Sequence, residues 1–158
     1  MANRSEPTFA SIYLAQAQRA LDLATANATS KSSVAMGGQT MAHNGMVQYT
    51  IAEMVLELDA ITAHVERIAD DWSNGVDYGG LWASKLVSAK YHAVESARRI
   101  VKLALDVTGG GSIFKGNEME RLLRDTVLGP VHPANSNVVH EIVGKTALGL
   151  LGQPPRWG

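Results

Sequence analysis

The chain has 158 residues, 14 Lys and Arg against 15 Asp and Glu for a net charge of −1, and no cysteine. That length suits one domain burying roughly 70% of its unfolded surface, and the lack of thiols excludes disulfides and thiolate metal sites. The balanced charge offers no basic face to nucleic acid or anionic lipid, charges interrupt every apolar run well short of the ~18 residues of a membrane span, and the polar start lacks a signal-peptide core, so a cytoplasmic protein is expected.

Residues 1–8 read as a tail. Over 9–29, Phe9, Ile12, Tyr13, Ala17, Ala20, Leu23 and Ala24 share one side and predict a helix whose alanines permit close approach. Ser30, Ser32, Ser33, Gly37, Gly38 and Asn44 mark 29–44 as a loop. The strongest signal covers 47–72, where Val47, Ile51, Met54, Leu58, Ile61, Val65, Ile68 and Trp72 alternate steps of 4 and 3, one stripe of a long packed helix. Glu53, Glu57, Asp59, Glu66 and Asp70 read as its solvated face. A turn over 73–80 leads to a third long helix over 81–107, carried by Leu86, Ala93, Ala97, Ile100, Ala104 and Val107. Gly109-Gly110-Gly111 stops it, since glycine accepts the left-handed conformation in which helices end.

A short helix over 117–128 opens on Asn117, with Glu120 approximating a capping box. Gly129-Pro130 and His132-Pro133 follow it. The last helix is predicted over 136–150, and Pro154-Pro155 bars its continuation into a tail over 151–158. Strand-like alternation is absent. The expected fold class is all-α, an antiparallel four-helix up-and-down bundle with an extra short helix, occupying 9–150.

The residues themselves supply few candidates for chemistry. Gly111 to Asn117 has the glycine spacing of a phosphate loop, but Asn117 stands where lysine is required and no strand precedes it. The glycines therefore read as a helix stop, or as backbone able to approach an anionic ligand. Of His43, His64, His92, His132 and His140, the pair His64 and His92 would meet only through tertiary structure. His140-Glu141 lacks the second His of a zinc helix, so no metal site is expected. His132 sits in a Pro-flanked loop, where functional groups concentrate, a capping or surface role being the alternative. Glu118, Glu120, Arg121, Arg124 and Asp125 suit pairing within their own helix, or an Arg124–Asp125 lock onto a neighbour. No nucleophile–base pair stands out.

The order of motifs resembles the acyl-CoA dehydrogenase family. Val47-Gln48-Tyr49-Thr50-Ile51-Ala52-Glu53-Met54 is similar to its "VQ-x-x-LA-[DE]-M" segment, Ala89-Lys90 to its "AK", and Gly109-Gly110 to its "GG" turn. Glu120-Arg121-Leu122-Leu123-Arg124-Asp125 matches "ERLLRD", and Gly144 with Leu148-Gly149 resembles the "G-x-x-x-LG" ending of one branch. The resemblance implies the C-terminal helical bundle of a flavoenzyme, which contacts FAD through Gly109, Gly110 and Asp106 and mediates homo-oligomer assembly. In such an enzyme an N-terminal helical domain and a β-domain complete the site, and the flavin dehydrogenates an acyl-CoA thioester.

Three positions depart from the family pattern. Val34 replaces the Arg of the "R-x-x-FG" loop, removing a contact to the FAD of a partner subunit. Asp106 replaces a Gln three residues before the glycines, and a carboxylate repels a pyrophosphate unless turned away or paired. Pro133 occupies the place of the glutamate base. Asp125 followed by His132 resembles instead flavin-dependent monooxygenases of the same fold, in which a His of this loop lies near the flavin and exchanges protons. A non-catalytic assembly module is the third reading. In all three the chain is expected to be inactive alone, as an excised domain or a separate subunit, and to self-associate through faces left uncovered.

Overall fold

A computed structural model describes residues 5–154 and Arg156. Among them are five α-helices and no strand: α1 (Ser5–Ser30), α2 (Gly45–Ser73), α3 (Trp82–Thr108), α4 (Glu118–Val127) and α5 (Ser136–Ala147). None is long and apolar enough to cross a membrane. The fold is the expected all-α bundle.

Local chemistry explains most boundaries. The Asn44 side chain accepts from Met46 N at 2.9 Å and Val47 N at 3.4 Å, starting α2 two residues before its apolar stripe. Asn117 accepts from Met119 N at 3.0 Å and caps α4, but Glu120 pairs with Arg124 at 3.3 Å rather than reaching back to the cap. Helix α1 starts at Ser5 rather than at Phe9, because Pro7 falls in the first turn, where a backbone N–H has no helical partner to lose. Helix α5 stops at Ala147, short of 150, as Gly149 turns left-handed at φ 71°.

Helix α3 is the centre of the bundle and packs on α1, α2, α4 and α5. It meets α1 through small side chains on both partners: Ala10, Ala17, Ala20, Ala24 and Ala28 face a surface containing Ala93, Ala97 and Ala104, and all are buried. Larger residues, Met54 of α2, Ile100 and Val101 of α3, and Met119 and Leu122 of α4, belong to the same buried core. Helices α2 and α3 run antiparallel: Trp72 meets Trp82 at one end, His64 faces His92 midway, and Glu53 pairs with Arg99 at the other. Glu53 and Glu57 are thus only partly solvated. Both lie half-buried against Arg99 at 3.2 Å, and Glu57 also accepts from the buried Ser96 hydroxyl at 2.7 Å.

Candidate functional site

The sequence-predicted residues fall in two loops that flank α4. In the first, α3 ends as Gly109 adopts φ 82°, its N–H donating to Leu105 O at 2.8 Å. A 3-10 turn, Gly110–Ile113, follows, with Ser112 N donating to Gly109 O at 3.0 Å. A Cβ built on Gly109, Gly110 or Gly111 would meet nothing within 4 Å. The glycine backbone is therefore open to an incoming group. Asp106 lies exposed one turn earlier, and Ile113 and Phe114 are exposed beyond. Val34, in the turn Val34–Met36, is 97% exposed and brings no charge.

The second loop, 129–135, is built the opposite way. Gly129 is buried, and a Cβ there would lie 2.5 Å from Val94 Cγ1 and 3.1 Å from the Tyr13 ring. Lys90, only 2% exposed, donates from Nζ to Ala134 O at 3.0 Å and Gly129 O at 3.4 Å, tying both ends of the loop to α3. Ala134 takes a left-handed φ of 58°, unusual for a residue with a Cβ. Asn135 then caps α5, accepting from Asn137 N at 3.0 Å and Val138 N at 3.1 Å. Between these anchors His132 is half-buried, its ring centroid 4.4 Å from that of Phe9. Its Nδ1 is buried and has no hydrogen-bond partner among the described residues.

Around these loops, burial raises the pKa of Tyr13 above the usual phenol value and the Asp125 carboxylate adds to the effect. Arg124 and Asp125 do not lock α4 to a neighbour. Arg124 is exposed and pairs within its own helix, while the link to α1 is Glu118, which accepts from Arg19 Nε at 2.9 Å and Nη2 at 2.8 Å.

Two further clusters lie on the α2–α3 side. His64 and His92 do meet, with ring centroids 5.5 Å apart beside a cleft of about 230 Å³. Burial first, then His92 and Lys85, holds His64 below the ordinary imidazole pKa. Asp71 is buried and accepts from Arg67 Nε and the Tyr78 hydroxyl, each at 2.8 Å, which keeps its carboxyl below the usual range. Among the described residues, no group of three or more His, Asp or Glu is placed to hold a metal ion.

Sequence reasoning missed Lys90 and Gly129 as parts of the His132 loop. A signal for Lys90 existed: it falls four residues after Leu86 and four before Val94, on the apolar stripe of α3, where a charge must find buried partners. For Gly129 none existed, since Gly-Pro reads as a turn whatever packs on it.

Comparison with known proteins accounts for this arrangement. The family described as acyl-CoA dehydrogenase, C-terminal domain, matches residues 8–137, from α1 through the His132 loop into α5. Cyclohex-1-ene-1-carbonyl-CoA dehydrogenase of Geobacter metallireducens is 27% identical over 132 residues, covering 84% of this chain and 33% of that protein. The acyl-CoA dehydrogenase of Geobacillus kaustophilus superposes with a TM-score of 0.82 at 18% identity, over 91% of this chain and 36% of that one. The FAD complex of PigA does so with 0.76 at 18%, over 90% and 35%. The chain thus spans about a third of the length of these relatives. With the bundle, the glycine turn and the charged α4 matched across 130 consecutive residues, the chain belongs to the acyl-CoA dehydrogenase C-terminal domain family.

Proposed function

We propose that residues 9–150 act as the FAD-contacting and oligomerising C-terminal domain of an acyl-CoA dehydrogenase-like flavoenzyme, which oxidises the α,β bond of acyl-CoA thioesters and which this chain cannot replace alone. The observation that carries the reading is the family match over 8–137 in a chain covering only about a third of its relatives. The remaining walls of such a site would come from an N-terminal helical domain and a β-domain, on the same polypeptide or on a partner.

The residues present fit a bound FAD. Gly109 and Gly110 offer unobstructed backbone to an anionic group. Asp106 is exposed, so water screens its charge. When bound, FAD supplies the redox chemistry. Pro133 cannot serve as the base, so α-proton abstraction falls to a residue outside this chain or to the His132 imidazole beside it. Met46, Tyr49 and Leu56, exposed along one face of α2, form an apolar strip suited to a neighbouring subunit or domain.

The test is a flavin spectrum of the chain alone and together with the polypeptide carrying the missing domains, followed by anaerobic acyl-CoA. Flavin held only in the complex and bleached by acyl-CoA is the expected result. The buried Nδ1 of His132 favours one second reading, a flavin-dependent monooxygenase. Its signature would be bound flavin that acyl-CoA leaves oxidised, with oxygen consumed once reduced flavin is supplied. A stable complex devoid of flavin would sink both and leave an assembly module.

A further inference from the structure

Two Asn-Gly pairs, Asn44-Gly45 and Asn74-Gly75, lie at opposite ends of α2. We propose that Asn74 is the site of spontaneous deamidation in the folded protein and that the fold protects Asn44. In this reaction the deprotonated backbone nitrogen of the following residue attacks the side-chain carbonyl carbon. A C–N bond closes a succinimide ring, and the side-chain nitrogen leaves as ammonia. Water then opens the ring at either carbonyl, giving aspartate or β-linked isoaspartate. One water enters, one ammonia departs, and nothing is oxidised. Glycine as the following residue favours the attack because it has no side chain to crowd it.

In the unfolded chain the two pairs are chemically alike, so structure must distinguish them. Asn44 is the N-cap of a 29-residue helix. Its Oδ1 accepts from Met46 N at 2.9 Å and Val47 N at 3.4 Å, while its carbonyl accepts from Gln48 N at 2.9 Å. Swinging that side chain onto Gly45 N gives up these bonds and the first turn of α2. Asn74 caps the other end, at φ −86° and ψ 2°. Its side chain is exposed and makes no hydrogen bond among the described residues. What restrains it is backbone only: its own N–H to Asp70 O at 2.9 Å and the Gly75 N–H to Trp72 O at 3.2 Å. Such terminal bonds open at little cost.

The product would alter a structured turn. A carboxylate at 74 joins Asp70, Asp71 and Asp77. A β-linkage adds a methylene to the backbone between Cα of residue 74 and the nitrogen of Gly75, next to Val76, whose N–H donates to Asp71 O at 3.0 Å. The Tyr78 hydroxyl reaches Asp71 across the same turn, so ageing at Asn74 loosens the connection between α2 and α3.

The experiment incubates the full chain at mildly alkaline pH, folded and in denaturing urea. Trypsin then separates Asn44, in peptide 32–67, from Asn74, in peptide 68–85, for mass spectrometry with isoaspartate detection. In the folded protein the 68–85 peptide should convert at least about tenfold faster than 32–67, to a mixture of isoaspartate and aspartate. In urea the two rates should converge. Equal rates in the folded protein, a faster Asn44, aspartate as the sole product at 74, or conversion in urea alone would each overturn the proposal.

Discussion

The loops at 109–117 and 129–135 both begin with glycine at a helix end, yet they use it for opposite purposes. Around Gly109 to Gly111 the space beyond Cα is empty, and glycine serves conformation and access. At Gly129 the same missing atom is occupied by Val94 and the Tyr13 ring, and glycine serves packing. The first loop leaves its backbone exposed to a visitor, whereas the second is pinned from below by Lys90 and holds one imidazole in place. The contrast teaches that a glycine's role is set by the side chains that reach it, which lie far away in sequence.

The largest test of that contrast is Gly129→Ala. Val94 is β-branched on a helix and cannot swing clear, so overpacking should cost about 3 kcal/mol. That would lower the midpoint of thermal unfolding by several degrees. Val94→Ala in the same chain should recover part of the loss. If Gly129→Ala unfolds like the parent, the tight loop is misread.

Next is Lys90→Met, which keeps the apolar stem but leaves the Gly129 and Ala134 carbonyls without their buried donor. A cost of about 2 kcal/mol is expected. Amide exchange should accelerate over 131–135 and stay unchanged over 110–113. Equal acceleration in both loops would erase the distinction.

A smaller effect separates neighbours within the open loop. Gly109→Ala must hold a Cβ at φ 82° and should cost about 1 kcal/mol. Gly110→Ala, with neither a positive φ nor a close neighbour, should leave thermal stability unchanged.

The smallest effect concerns His64 and follows from its depressed pKa. The unfolded chain takes up the proton more readily, so this contribution is complete above the ordinary value of 6.5 and is lost as pH falls through it toward the lower folded value. His64→Gln should flatten the slope of stability with pH in that range, measured by urea unfolding. An unchanged slope would mean that the imidazole titrates normally.

Much of the helix map was legible because its signals are local. The alternation of 4 and 3 from Val47 to Trp72, the Asn117 cap and the Gly109 stop each act within a turn or two, whereas Asn44 read only as a loop residue and not as the cap of α2. Two boundaries differed: the polar start read as a tail, yet α1 already begins at Ser5, and the last helix read to 150 ends at Ala147, before the left-handed Gly149. The site was legible only in part. His132 stood out by its prolines, but nothing near it in sequence announces Phe9 against its ring or Lys90 beneath its loop. The same limit explains Glu53 and Glu57, which look solvated from α2 alone and are covered by Arg99 and Ser96 of α3.

By itself, then, the sequence determined five helices, the Asn117 cap and the Gly109 stop, and the family motifs strung along them, because periodicity and capping act over a few residues. Only the tertiary structure decided which glycine is an opening and which a packing contact, which lysine is buried, and that His64 meets His92. Those outcomes depend on α3 meeting α1, α2 and the loop at 129–135, and distance along the chain carries no record of who meets whom.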